Sequence, residues 1–450
     1  MSNPVEPAVE SQLVRALGVP SLTANIVNAT VGAGIFALPA LVAAQIGAAA
    51  PLAFLVCALA MVFFVTSFAL AGSRVSLTGG MYAYVETAFG RYVGFIAGVL
   101  YFLTAILGSS GVVTLLADTV GAMAPVFANR SAHFLIVLVV FGSLAWINVR
   151  GVRSGARAVW IVTILKLVPL LIFVCAGIFF VRRADALAIT WPGVPALGRS
   201  VLILLFAFVG IEVALIPSGE VKNPARTVPR AIYLALAVTT ALYLLIQLVA
   251  QGILGDALGK YPATPLAQAA SRFFGEPGRS LMLAGAGISA FGFITSDILS
   301  SPRILFAFGR DRFLPKAFAH VHPRFHTPDI AIVVYCAICS ILSLFSTFQQ
   351  LAILSNVAVL LLYFLCCGAA LQLMRRDVRS NGRPFDFPGA WIVPCIAAVI
   401  SLWILAQATR QELAVTAVVL AVASVLFLVQ RALTKPAGLT PSAKPRHHIL

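Results

Sequence analysis

Two apolar stretches of this 450-residue chain place a glycine seven residues before a proline. They read NATVGAGIFALP at residues 28–39 and FAFVGIEVALIP at residues 206–217. A glycine and a proline at mid-depth in a membrane-spanning helix free backbone N–H and C=O groups that lipid cannot satisfy. Such a break is tolerated only where it faces protein or a water-filled cavity. The matched spacing therefore predicts two interrupted helices around a polar site.

Composition predicts that the chain is embedded in lipid. Hydrophobic residues make up 60% of it and charged residues only 10%, with a mean hydropathy of +1.00. Soluble domains carry about 25% charged residues, and no soluble core could hide this much apolar surface. The apolar runs are continuous and of helix length, which excludes a β-barrel with its alternating pattern.

Twelve apolar runs are long enough to cross the roughly 30 Å hydrocarbon core of a bilayer. We therefore predict an all-α integral membrane protein with twelve transmembrane helices. The runs cover residues 21–45, 50–71, 93–123, 132–149, 157–181, 200–218, 230–254, 280–308, 329–346, 350–374, 390–408 and 412–431.

The distribution of basic residues predicts the orientation. With a cytoplasmic N-terminus, the inner connections and tails carry 22 of the 31 Lys and Arg residues and the outer connections carry eight. Cytoplasmic segments of membrane proteins are enriched in this way, so both termini are expected in the cytoplasm. The net charge of +16 is then a topology signal and not a sign of nucleic-acid binding.

The two breaks lie five helices apart. An odd number of crossings inverts the direction of the chain, which predicts two inverted five-helix repeats with a binding site where the interrupted helices meet. The alternative is that glycine and proline are simply frequent in membrane helices. The predicted divisions are a cytoplasmic tail at 1–20, a first repeat at 21–181, a second repeat at 200–374, two further helices at 390–431 and a cytoplasmic tail at 432–450.

Such a pair of breaks suits a zwitterionic ligand. Free N–H groups around Gly32, Ala33 and Gly34 would bind a carboxylate with help from the helix dipole. Free carbonyls at residues 206–209 would accept hydrogen bonds from an ammonium group. The small residues of the first break allow a ligand close to the backbone.

Four groups of motifs resemble a known family. They are GAGIF at 32–36, LTGGMYAY at 77–84, FVGIE at 208–212 with GEVKNP at 219–224 and TVPRAI at 227–232, and RDRFLPK at 310–316 with Thr327-Pro328. In this order the chain resembles the amino acid–polyamine–organocation superfamily, specifically its bacterial amino acid permeases. The resemblance implies secondary active transport of amino acids by alternating access across the inner membrane.

The resemblance also implies the substrate-binding residues. Glu212 stands in a G-x-E position that lies beside the substrate in related carriers, and Phe206 matches an aromatic lid. A structural carboxylate is the alternative for Glu212. The expected substrate-binding set is Ala29, Thr30, Gly32, Ala33, Gly34, Phe206, Ala207, Phe208, Val209, Gly210, Glu212 and Asp297.

Lys166 lies halfway along the fifth run, where an unpartnered lysine costs roughly 3 kcal/mol. In related proton-coupled permeases a lysine here takes the place of a sodium ion against the first break. We therefore expect sodium independence, with Lys166 and Glu212 as the candidate proton-coupling residues. Lys166 either titrates or fixes the first helix, and Glu212 either binds an amine or carries a proton. The alternative is a lysine that snorkels to a membrane surface.

Asp297 departs from the family, because its position in the arginine/agmatine antiporter holds an aromatic residue that faces the substrate. An acid here could attract a cationic substrate, pair with Lys166 or serve a structural partnership. The sequence therefore leaves open which side chain the substrate carries, and cationic amino acids and polyamines are among the candidate substrates. So are symport against exchange and the oligomeric state.

Other readings of the sequence are weaker. His320, His322 and His326 crowd one connection, but their spacing is loose and no acid or cysteine joins them, so no metal is expected. We expect no cofactor and no catalytic residue. A membrane-embedded transferase would need acid or histidine pairs at one membrane face or a large catalytic loop, and the sequence offers neither.

Overall fold

The computed structural model describes residues 18–75, 80–151, 156–182, 191–212, 224–379 and 384–433. Throughout these ranges the chain is helical, without a β-strand, which confirms the all-α class. The described ranges contain fifteen α-helices, joined by turns and short 3-10 segments. They are α1 Val19–Thr30, α2 Leu38–Ile46, α3 Ala50–Gly72, α4 Met81–Phe89, α5 Arg91–Met123, α6 Arg130–Val149, α7 Ala156–Gly177, α8 Val194–Leu204, α9 Pro224–Leu254, α10 Pro265–Ser300, α11 Pro302–Arg310, α12 Asp329–Phe345, α13 Phe348–Arg375, α14 Ile392–Leu405 and α15 Arg410–Leu433.

Many of these helices have the length and the apolar composition of membrane-spanning helices. In the described part of the chain, eight helical stretches are long and apolar enough to cross one, and three shorter apolar helices accompany them. Each of the twelve apolar runs of the sequence overlaps at least one of the observed helices. The match supports a multi-pass membrane protein.

The first predicted break is present. Helix α1 ends at Thr30, the backbone is extended at Gly32, and a 3-10 turn covers Ala33–Phe36 before α2 begins. Pro39 is the second residue of α2, where its missing N–H costs nothing because that N–H has no intrahelical acceptor.

The second predicted break is also present, further along the chain. Helix α8 gives way to a 3-10 turn at Leu205–Ala207, and Gly210 adopts a φ of 109°, a left-handed conformation that favours glycine. Pro217, the proline of the predicted pattern, lies outside the described residues.

Two helical segments differ from the sequence prediction. Helix α4 forms within the predicted loop after α3, between Gly80 and Gly90, both with positive φ. Helix α10 begins at Pro265 and continues past a non-helical Gly275, ahead of the apolar run predicted at 280–308. Helix α4 is too short to cross a bilayer and residues 265–279 of α10 are too polar, so a search for apolar runs misses both segments.

Hydrogen bonds join the helices within two groups, and α13 of the second group also bonds to α8, where Asn356 donates to the Leu202 carbonyl at 2.7 Å. In the first, Thr66 of α3 bonds Tyr233 of α9 at 2.5 Å, and Thr23 of α1 donates to the Ala231 carbonyl of α9 at 3.4 Å. In the second, hydroxyls of α12 and α13 donate to α5. Ser343 reaches the Ser110 carbonyl at 2.9 Å. These bonds link α1, α3 and α9 in one group and α5, α12 and α13 in the other.

The last helix is anchored by aromatic packing. Phe427 of α15 stacks on Phe313 with ring centroids 5.5 Å apart and contacts Phe95 and Tyr92 of α5. Phe427 is 9% exposed, whereas its neighbour Leu428 is 59% exposed.

We predict that Phe427→Ala lowers the thermal unfolding midpoint of the purified protein in detergent. The free energy of unfolding should fall by about 1–2 kcal/mol. This is less than in a water-soluble core, because the acyl chains of detergent or lipid replace some of the contacts. Leu428→Ala is the matched control and should leave the midpoint unchanged. Equal shifts for the two variants would contradict the anchoring role.

Candidate functional site

The two helix breaks touch each other. A Cβ built on Gly210 would lie 2.8 Å from the carbonyl oxygen of Ala29 and 3.4 Å from the Cα of Thr30. A Cβ built on Gly34 would lie 2.9 Å from the ring of Phe206. At both contacts a side chain is excluded because the opposite break occupies its space.

Tyr243 of α9 joins the breaks through its hydroxyl group. The hydroxyl lies 3.1 Å from the carbonyl oxygen of Thr30 and 2.9 Å from that of Ala207. The side chain is fully buried, and its ring packs edge-on against Phe208. One hydroxyl thus serves acceptors freed in both breaks, which lipid could not satisfy.

Lys166 reaches the first break from α7. Its Nζ donates to the carbonyl oxygen of Asn28 at 2.5 Å, and the residue is 7% exposed. Asn28 lies in the last turn of α1, where carbonyls lose their intrahelical donors. The ammonium group therefore places a positive charge against the carbonyl end of the broken helix, which the helix dipole favours.

The carboxylate of Glu212 is held at the second break. Its Oε2 accepts from the backbone N–H of Gly210 and from the hydroxyl of Tyr363, each at 3.0 Å. Tyr363 belongs to α13 and packs against Phe64 and Phe68 of α3. Glu212 is 8% exposed, so these donors replace water around its charged oxygen.

A cavity of about 480 Å³ begins at Glu212 and opens toward the side of the molecule that carries α4. Tyr101 of α5 lines it near Glu212, while Glu86 and Arg91 line it where α4 meets α5. The opposite wall is formed by α11. This volume lies within the roughly 300–1,000 Å³ typical of small-molecule sites.

Asp297 of α10 is held by three hydroxyl groups. Ser109 of α5 donates to it at 2.6 Å, Ser301 donates at 2.6 Å, and Tyr335 of α12 donates as well. Asp297 and Lys166 form no ion pair, and Lys166 instead bonds the first break. The carboxylate therefore connects α5, α10 and α12 through hydroxyls alone.

The structure brings most of the predicted residues together. The small residues of the first break, the aromatic residues of the second, Lys166 and Glu212 surround one region, whereas Asp297 bonds to α5 and α12. Sequence reasoning missed Tyr243, Tyr363 and Tyr101. Each is a tyrosine in a largely apolar helix and gives no signal without the fold.

Among the described residues, no group of three or more histidine, cysteine, aspartate or glutamate side chains is arranged to hold a metal ion. His320 of the histidine-rich connection instead bonds Asp329 at 2.7 Å. The nitrogen Nδ1 of His322 accepts from the backbone N–H groups of Arg324 and Phe325. These contacts give both imidazoles local partners at the start of α12.

Interrupted apolar helices around an internal polar site define a class of membrane transporters. The chain belongs to the amino acid permease family, whose model matches residues 17–430. It is accordingly a multi-pass membrane transporter and not an enzyme.

Named relatives cover nearly the whole chain. A serine/threonine exchanger, SteT of Bacillus subtilis, is 28% identical over 410 residues, which are 88% of this chain and 91% of the relative. The branched-chain amino acid permease BcaP of the same organism is 25% identical over 415 residues, 88% of each chain. An arginine/agmatine antiporter of Chlamydia caviae is 27% identical over 429 residues, 90% of this chain and 88% of the relative.

We predict that Gly210→Ala reduces amino acid uptake by proteoliposomes at least tenfold. An alanine at this φ is strained, and its Cβ would collide with the Ala29 carbonyl, so the breaks have to separate. Gly142→Ala of α6 is the control because a Cβ there meets nothing within 4 Å. Uptake by Gly210→Ala at the level of the control would show that close contact between the breaks is dispensable.

For Asp297→Asn we predict a lower thermal midpoint and an equal fractional loss of uptake for neutral and cationic substrates. The amide nitrogen cannot accept the hydroxyl bonds that the carboxylate accepts. Uptake of labelled serine and labelled arginine measures the effect. A selective loss of arginine uptake would assign Asp297 to the substrate and not to the helix contacts.

Proposed function

We propose that this protein is a sodium-independent secondary active transporter that carries amino acids across the cytoplasmic membrane by alternating access. The observation that carries the proposal is the direct contact of the two helix breaks between Lys166 on one side and Glu212 on the other. Two unwound segments that face each other offer backbone donors and acceptors to one small ligand.

The chemistry of the breaks favours a zwitterion. The 3-10 turn at Ala33–Phe36 begins with N–H groups that lack intrahelical acceptors, as every helical N-terminus does. These donors and the positive end of the turn attract a carboxylate. The carbonyls of the second break and the carboxylate of Glu212 attract the ammonium group. An α-amino acid presents both groups on one carbon atom.

We further propose twelve membrane-spanning helices, with two inverted repeats of five. The basic residues then place both termini and α4 in the cytoplasm. Helix α4 lies at the mouth of the cavity. We therefore propose that the cavity opens to the cytoplasm and that this conformation is inward-facing. Residues from Glu212 outward along this cavity form the release path.

The hydrogen-bonded groups of helices support a moving and a static part. Helices α1 and α8 lead into the two breaks, and Tyr243 of α9 bonds to both breaks. Tyr233 of α9 bonds to Thr66 of α3, so α3 belongs to the same group. Helices α5, α10 and α12 are joined at Asp297. Transport requires the first group to rock against the second, with the glycines of the breaks as hinge points.

Lys166 and Glu212 supply the proposed proton coupling. The Lys166 ammonium donates to the carbonyl oxygen of Asn28. The family resemblance implies that a lysine here takes the place of a sodium ion against the first break. Glu212 is buried at the inner end of the cavity, which gives protons a path from water. Protonation of Glu212 would weaken its attraction for the substrate ammonium group.

The substrate range follows from the relatives only as a class. Their names cover serine and threonine, branched-chain amino acids, and arginine with agmatine. We propose α-amino acids as the substrates because the backbone groups of the breaks address the main-chain carboxylate and ammonium groups that these amino acids share.

The decisive experiment is uptake of a panel of labelled amino acids by proteoliposomes, with and without a pH gradient. We predict that Glu212→Gln loses most of the response to the gradient, because the amide cannot take up and release a proton. Tyr363→Phe is the matched control, since it removes one hydrogen bond and leaves the titratable group. An unchanged rate and pH profile in Glu212→Gln would refute this role.

Sodium independence is tested in the same vesicles. Replacement of external sodium by choline should leave uptake unchanged, because Lys166 already supplies the positive charge at the first break. Strict dependence on sodium would contradict the proposed coupling.

A further inference from the structure

The wall of the cavity formed by α11 carries an arginine that pairs with no residue in the described part of the chain. Arg303 is the second residue of α11, and its side chain lines the cavity together with Ile304 and Ala307. Among the residues that the structure describes, none forms a hydrogen bond or an ion pair with Arg303. A guanidinium group that faces a cavity in this way presents up to five N–H donors to whatever enters.

The other two arginines that line the cavity, Arg91 and Arg310, differ from Arg303 in their position or in their pairing. Arg310 bonds its neighbour Asp311 at 2.9 Å at the far end of α11. Arg91 begins α5, about 15 Å along that helix from Tyr101 at the inner end of the cavity. Arg91 and Arg310 therefore lie at the mouth.

Arg303 lies deeper than this mouth. It precedes Arg310 by seven helical residues, about 10 Å along the axis. Ser301, two residues before it, bonds Asp297, which in turn accepts from Ser109, a residue far along α5 from the mouth. The start of α11 is thus fixed to the buried centre of the helix bundle, and Arg303 is positioned between the mouth and Glu212.

We propose that Arg303 forms a second substrate station in the cavity, which binds the carboxylate of an amino acid on its way between the cytoplasm and the helix breaks. This inference rests on the proposed function. Arginine is suited to the role because its planar donor fork matches a carboxylate, forming paired, charge-assisted hydrogen bonds. Glu212 at the inner end repels a carboxylate and attracts an ammonium group, so a zwitterion enters the cavity with its ammonium end foremost.

The station predicts an asymmetry between the two faces of the protein. Substrate that arrives from the cytoplasm meets Arg303 before the breaks, whereas external substrate reaches the breaks first. Arg303→Gln should therefore raise the KM for uptake into inside-out vesicles roughly tenfold, the effect of losing one charge-assisted contact. The KM for uptake into right-side-out vesicles should stay within about twofold, because that path does not begin at Arg303.

The ligand class is tested by competition from the cytoplasmic face. In inside-out vesicles, unlabelled serine should compete with labelled serine better than serine methyl ester does, since the ester lacks the anionic carboxylate. In Arg303→Gln this preference should disappear, and Arg303→Lys should restore part of it. Arg91→Gln is the control for a general loss of positive charge and should keep the preference.

Three results would overturn the inference. They are an unchanged cytoplasmic KM in Arg303→Gln, an equal rise of KM on both faces, and an equal loss of the preference in Arg91→Gln. Failure of the proposed function would be distinct, because the unmodified protein would then transport no amino acid of the panel. If another amino acid of the panel is carried in place of serine, that amino acid and its methyl ester replace the serine pair.

Discussion

The structure depends on one constraint: backbone groups released inside a membrane helix need partners that lipid cannot supply. The chain breaks two helices, packs the breaks against each other and satisfies freed backbone groups with buried side chains. Gly210 lies against the Ala29 carbonyl. The hydroxyl of Tyr243 lies within hydrogen-bond distance of a carbonyl oxygen in each break, and Lys166 donates to the carbonyl oxygen of Asn28. The N–H groups at the start of the Ala33–Phe36 turn are the donors that we propose for the substrate carboxylate.

This constraint links the site to the movement that transport requires. A break that is held by a few hydrogen bonds can bend at lower cost than an intact helix. The bonds of Tyr243 and Lys166 join the break of α1 to α9 and α7, whereas Asp297 joins α5, α10 and α12. A substrate that adds contacts to both breaks would shift the balance between conformations by its differential affinity for them.

The sequence predicts the features that repeat or that violate the apolar pattern. The breaks were predictable because glycine and proline recur at one spacing, and Lys166 and Glu212 because a charge in an apolar run requires a partner. The contact of Lys166 with the first break agrees with the expectation from the family, while its part in proton coupling stays a prediction.

The partners themselves were not predictable. Tyr243, Tyr363 and Ser109 look like ordinary residues of membrane helices until the fold brings them to a carbonyl or a carboxylate. Asp297 shows the same limit, since the sequence identifies a buried acid but not the three hydroxyls around it. The position of Arg303 became informative only when the fold showed the cavity and the pairing of Arg310 with Asp311.

The most direct test of the central claim is substrate protection of a thiol placed in the first break. Gly32→Cys suits it, because a Cβ there contacts nothing closer than the Thr30 carbonyl oxygen at 3.9 Å. The rate of its labelling by a small thiol reagent is measured with and without the transported amino acid, against the background of the parent protein. The substrate should slow labelling of Gly32→Cys and leave that of Ala128→Cys, in the connection after α5, unchanged. Equal labelling of Gly32→Cys with and without substrate would show that the ligand does not occupy the breaks.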